Sequence, residues 1–133
     1  MGRPESGFWN SIKGKVPGFW QRIESPTTDG IPDCCCIVNG ATHWVELKSM
    51  RTFVSGLGTE PMQRYWMNRW HTYGGHAWVL ARVGGHVIFI HAWFLPWKLD
   101  PLEDTLEHYL SKARLHAPMR EFPWDEMEVA MSR

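Results

Sequence analysis

Gly30-Ile31-Pro32-Asp33-Cys34-Cys35-Cys36-Ile37-Val38-Asn39-Gly40-Ala41-Thr42-His43-Trp44-Val45-Glu46-Leu47-Lys48 reads as two short strands joined by a tight turn. Asn39-Gly40 is the strongest dipeptide signal for a two-residue hairpin, because both positions must accept positive φ. Cys34–Val38 is an apolar strand, and His43–Lys48 is the strand that returns beside it. Pairing about this turn joins residues whose numbers sum to about 79, which sets Asp33 opposite Glu46. Glu46 and Lys48 are two apart, so both project from one face of their strand. Two carboxylates and an ammonium group therefore converge on a small area of sheet, with Gly30 and Pro32 shaping the entry.

Such a group has a chemical use. Carboxylate oxygens suit Mg²⁺ or a similar hard ion, which polarises a phosphate, lowers the pKa of a bound water and stabilises charge in the transition state. A neighbouring lysine can orient the attacking water or steady the phosphate, and it limits repulsion between the acids. The plain alternative is a turn aspartate and an exposed Glu46/Lys48 ion pair.

Outward from the hairpin, Ser6–Lys13 is a possible short helix capped by Ser6, and Phe19–Glu24 a first strand. Residues 25–30 are dense in turn formers. Ser49–Gly58 reads as a loop, and Thr59 as the cap of a helix with Glu60 and Pro61 in its first turn. Met62, Trp66, Trp70 and Tyr73 recur at helical spacing and are expected to form its buried stripe, with Gly74-Gly75 ending it. His76–Val83 and His86–Trp93 are two further strands joined at Gly84-Gly85. Asp100–Ala113 is expected as a helix with Pro101 at its start, and the residues from Pro118 on as a loose tail. The order predicts one α/β domain over residues 1–133, a mixed sheet flanked by helices, with a core at about 19–93 and an acidic region at about 99–133.

The net charge is zero, but residues 1–98 hold ten Lys/Arg against six Asp/Glu, and residues 99–133 hold four against eight. The stretch 1–98 is thus the part suited to an anionic partner. Cys34, Cys35 and Cys36 are adjacent and odd in number, which excludes a disulfide framework. On a strand they alternate in direction and do not converge on one ion, so buried cysteines are expected, with a zinc site as the alternative. No apolar run approaches the roughly 18 residues of a membrane span, and no secretory pattern opens the chain. A cytoplasmic location is expected. Nine tryptophans far exceed normal usage and point to packing, to an interface or to base stacking. His43 lies on the face opposite Glu46, and the histidines read as structural or solvated.

Gly30-Ile31-Pro32-Asp33, Glu46-Leu47-Lys48 and Gln63 on the following helix together resemble the PD-(D/E)XK nuclease superfamily, with its restriction-endonuclease-like fold. The resemblance runs from about Arg22 to about Phe89. Within the superfamily it is to the small VRR-NUC-type nucleases common in bacteriophages and related to Holliday-junction resolvases. It implies that Asp33, Glu46 and the backbone carbonyl of Leu47 hold Mg²⁺ (or Mn²⁺). Lys48 is then the catalytic lysine and Gln63 its helix-borne partner, while Glu24, with Glu5 as a rival, stands for an additional acid. Arg22, Arg51 and Arg64 are candidate phosphate contacts, with scattered surface charge as the alternative. The activity implied is hydrolysis of branched or four-way-junction DNA. Two symmetric cuts call for a twofold homodimer, and the tryptophan content makes Met62–Tyr73 and Val87–Leu95 the expected contact elements, with internal core as the alternative for both. An inactive nucleic-acid-binding module of the same fold, or a tryptophan-rich interaction protein, are the competing readings.

Overall fold

Asn39 and Gly40 both take positive φ, 48° and 85°, as a two-residue hairpin requires. The ladder they set joins β2 (Cys34–Val38) to β3 (Ala41–Met50), from Val38↔Ala41 to Cys34↔Val45, the register the turn predicts. In this computed structural model the described residues are 4–23 and 30–132, with side chains from Ser6 onward. Around the hairpin stand β1 (Phe19–Arg22), β4 (Ala77–Val83), β5 (His86–His91) and β6 (Leu115–Pro118), in the spatial order β1-β2-β3-β4-β5-β6. Only β3 and β4 run parallel; the other neighbours are antiparallel. The parallel pair needs a crossover, which α2 (Pro61–Thr72) supplies. The expected α/β class, a mixed sheet flanked by helices, is therefore what the chain forms.

Alternation along the strands divides two apolar layers. On one face Cys34, Cys36, Val45, Leu47, Leu80 and Phe89 pack against α1 (Pro4–Ile12), through Phe8 and Ile12, and α4 (Trp124–Met131), through Met127 and Met131. On the other, Val79, Ala81, Ile88 and Ile90 meet Met67 of α2 and Tyr109 of α3 (Leu106–Lys112). β4 lies in the middle and is buried on both faces, which explains its unbroken run Ala77-Trp78-Val79-Leu80-Ala81.

Several expectations need correction. The residues after Pro118 are no loose tail: they form a short 3₁₀ turn and α4, and Met131's carbonyl lies 2.5 Å from His43 Nε2. The acidic helix is shorter than Asp100–Ala113, because Thr105 caps it by accepting from His108 N–H and Pro101 stays in the preceding turn. β3 continues through Ser49-Met50, and a 3₁₀ turn at Ser55–Gly58 occupies the expected loop. Glu60, not Thr59, is the N-cap of α2. Thr59 instead turns inward, where its carbonyl and hydroxyl accept from Arg64. The buried side of α2 is Arg64 and Met67, whereas Met62 and Tyr73 are 52% and 81% exposed.

The cysteines are free and alternate as expected, with Cys34 and Cys36 buried and Cys35 on the opposite face. Burial raises the thiol of Cys36 to about 12 and that of Cys34 well above its usual range, so neither is a ready thiolate. Packing accounts for most tryptophans: Trp78 is core, six others lie against it, and Trp93 and Trp97 stay exposed. Among the described residues no helix is long and apolar enough to cross a membrane.

Candidate active site

At the open end of the β2–β3 ladder each acid grips the other's strand. Glu46 Oε1 accepts from Asp33 N–H at 3.1 Å, and Asp33 Oδ2 accepts from Leu47 N–H at 3.0 Å. Asp33 is thus held opposite Glu46, as the turn arithmetic requires, by side chains rather than by the ladder. Its carbonyl accepts from Ile23 N–H at 2.7 Å, which fastens the entry strand from the other side.

The second oxygen of Glu46 gathers the remaining groups. Lys48 Nζ lies 3.3 Å from Oε2, on the same strand face, and Gln63 Nε2 donates to Oε2 at 2.6 Å. Gln63 reaches from the first turn of α2, where its side-chain carbonyl accepts from Glu60 N–H at 2.9 Å. One residue therefore locks both the start of the helix and the buried acid. Glu46 is 1% exposed. Burial foremost, then the charge of Asp33, pushes its carboxyl up to about 8, although Lys48 and the Asp33 N–H pull it down.

A carboxylate pair, Glu46 buried and Asp33 half-buried, with one lysine is short of positive charge, and that is the condition a cation relieves. Its donors are hard oxygens: the histidines and the buried Cys34 and Cys36 lie elsewhere, and His43 is on the other face, accepting from Trp78 Nε1 at 2.9 Å. No group of three or more His, Cys, Asp or Glu arranged for a metal exists among the described residues. Mg²⁺ needs fewer, since it keeps several waters and is held through one or two carboxylates together with substrate phosphates. The donor set fits such an ion.

Of the other candidates, Arg64 is corrected: it is 6% exposed and its guanidinium serves Thr59, so it braces the fold and does not face a phosphate. Arg22 pairs with Cys34 and lies over the Trp9 ring, on the α1 face and away from the carboxylates. Arg51 is exposed just beyond β3. Glu24 and the side chain of Glu5 lie outside the described residues.

Sequence reading missed the support of the site. Gly58 (φ 75°) passes over the Lys48 stem, and the turn before it is anchored by Asp104, which accepts from Ser55 Oγ, from Gly56 N–H at 2.7 Å and from Tyr109 OH at 2.8 Å. These contacts join the acidic region to the turn beside Lys48 across 48 residues of sequence. No local pattern signals them.

No family model matches the chain, and no curated protein matches it. Solved structures do, among them Hjc, a Holliday junction resolvase from the archaeal hyperthermophile Archaeoglobus fulgidus. The two are 14% identical over 69% of this chain and 77% of that one, with a TM-score of 0.47. At that level of likeness nothing is carried from the resolvase to this chain.

Proposed function

We propose that this chain is a metal-dependent endonuclease of the PD-(D/E)XK class that hydrolyses DNA phosphodiester bonds and prefers branched DNA. The observation that carries the reading is Glu46, buried where the β2–β3 ladder ends and tied at once to Asp33, Lys48 and Gln63. Asp33 and Glu46, with the Leu47 carbonyl, would hold Mg²⁺, with Mn²⁺ able to substitute. When bound, the ion supplies Lewis acidity at the phosphate and a more acidic water.

The protein's own groups do the rest. The Leu47 N–H and Asp33 N–H fix the two carboxylates, so little reorganisation accompanies the reaction. Lys48, 15% exposed at its side chain, holds a positive charge where the attacking water and the phosphate oxygens meet. Gln63, donating from α2 to Oε2, fixes the rotation of the Glu46 carboxylate. The site serves a nuclease working in the cytoplasm, the host's where the chain is phage-encoded.

Two symmetric cuts in a four-way junction call for a twofold dimer, since one chain carries one carboxylate pair. Within Val87–Leu95, Val87–Ile90 and Leu95 are 0% exposed in the core, which leaves Trp93 and Phe94, 55% and 39% exposed, as the part able to make a contact. Phe19 and Ile37, paired across the outer strands and 70% and 49% exposed, are an available apolar pair.

The test is incubation with linear, nicked, flapped and four-way-junction DNA, with and without Mg²⁺. Cleavage with metal alone, and of branched forms before plain duplex, is the expected result. Turnover in excess chelator overturns the metal-dependent reading. Equal activity on plain duplex removes the branch preference, and binding without cleavage under any metal favours the inactive module.

A further inference from the structure

The apolar stripe of α2 is only partly covered: Trp66 and Trp70 lie half-buried against the core, while Met62, Tyr65 and Tyr73 are exposed. Met62, Tyr65, Arg69 and Tyr73 line a groove of about 530 Å³ whose floor is Trp66 and Trp70, stacked at 5.3 Å with their planes 9° apart. Arg69 stands between the two tyrosines, 5.9 Å from the Tyr65 ring and 6.0 Å from the Tyr73 ring. Those three residues follow one another at successive turns of the helix, on the side away from Met67. Among the groove residues the one charge is positive and there is no acid.

We infer that this face of α2 is a stacking platform for the unpaired nucleotides of a branched or flapped DNA strand. Ring faces and an arginine plane accept any base, and the guanidinium complements the phosphate backbone. The placement argues for a strand of the substrate. The groove begins at Met62, next to Gln63, whose amide holds the catalytic carboxylate, and Gly30, three residues before Asp33, packs on the Met62 carbonyl and Trp66. A strand whose phosphate lies at Asp33 and Glu46 therefore has α2 beside its neighbouring nucleotides. The inference rests on the nuclease reading and deepens it, because it supplies a reason for choosing branched over fully paired DNA.

The test measures binding of a labelled oligothymidine strand and of a blunt duplex by fluorescence anisotropy, in chelator so that no cleavage occurs. Removing a stacked ring typically lowers affinity about tenfold or more. Tyr65→Ala/Tyr73→Ala should weaken single-strand binding by at least that factor and duplex binding much less, and the exposed Arg69→Ala should move it the same way. Tyr73 is 81% exposed, so the melting midpoint of Tyr73→Ala alone confirms a retained fold. Single-strand affinity within twofold of wild type in both variants overturns the inference. So does a fall from dimer to monomer mass with that affinity unchanged, which would give the face to a second copy. If the wild type cuts no DNA with any metal yet loses single-strand affinity in these variants, the nuclease reading fails and the platform stands. If it cuts DNA but the variants bind normally, only the platform fails.

Discussion

Glu46→Gln should lower metal-dependent DNA cleavage by about a thousandfold or more, on the scale that one electrostatic group at a reacting centre supplies. Asp33→Asn should do the same. Each removes a negative oxygen donor at nearly constant volume, so the loss is of charge, not of packing. The fold should survive. Burial and Asp33 already raise the Glu46 carboxyl to about 8, so the metal-free pocket accommodates a neutral group, and the amide oxygen can still accept from Asp33 N–H, although the new NH₂ meets the donors Gln63 Nε2 and Lys48 Nζ. A cooperative melt in chelator should therefore be kept, with the midpoint of Glu46→Gln somewhat lowered, while activity disappears. Lys48→Ala separates roles further. It should cost about 10²–10⁴ in the rate at saturating DNA, with metal binding kept. If Lys48→Ala weakens only DNA affinity and leaves the saturated rate intact, the lysine contacts substrate without assisting chemistry.

Deletion of residues 119–133 should abolish cooperative folding. Phe122, Met127 and Met131 from this segment are 4%, 0% and 0% exposed, and they close one face of the sheet over Val45, Leu47 and Phe89. Loss of a large buried apolar side chain costs about 2–5 kcal/mol, and the total stability of a domain is about 5–15 kcal/mol. Three such losses consume most or all of it, and His43 loses its contact with the Met131 carbonyl besides. Circular dichroism melts should show no sharp transition in the deletion, and Met131→Ala should lower the midpoint by several degrees or more. An unchanged melt in the deletion would mean that α4 merely lies on the surface.

The candidate site was legible because its geometry is arithmetic. A two-residue turn fixes the register, the register sets Asp33 against Glu46, and strand alternation puts Lys48 on the same face. The opposition is realised by carboxylates bonding to backbone N–H groups, a detail that register alone does not contain. Helix faces were less legible. Met62, Trp66, Trp70 and Tyr73 form an apolar stripe on α2, yet the fully buried residues are Met67 and the neighbouring Arg64, and only Trp66 and Trp70 of the stripe lie partly against the core. A buried arginine is not expected from composition, and it is acceptable here because the Thr59 carbonyl and hydroxyl lie where its guanidinium ends. The last helix was hidden by prolines at 118 and 123 and by four acids after Arg120, which read as a solvated tail. Its buried pair Met127 and Met131, one turn apart, was the signal available. Contacts such as Asp104 with Gly56 depend on the completed fold and leave no trace in local sequence.

Titration calorimetry with Mg²⁺ and Mn²⁺ decides whether Asp33 and Glu46 form one divalent-cation site. Wild-type protein should bind with measurable heat, and Asp33→Asn and Glu46→Gln, still folded, should not. Equal binding by all three proteins, or no binding by wild type together with DNA cleavage in chelator, would mean that these carboxylates hold no catalytic ion.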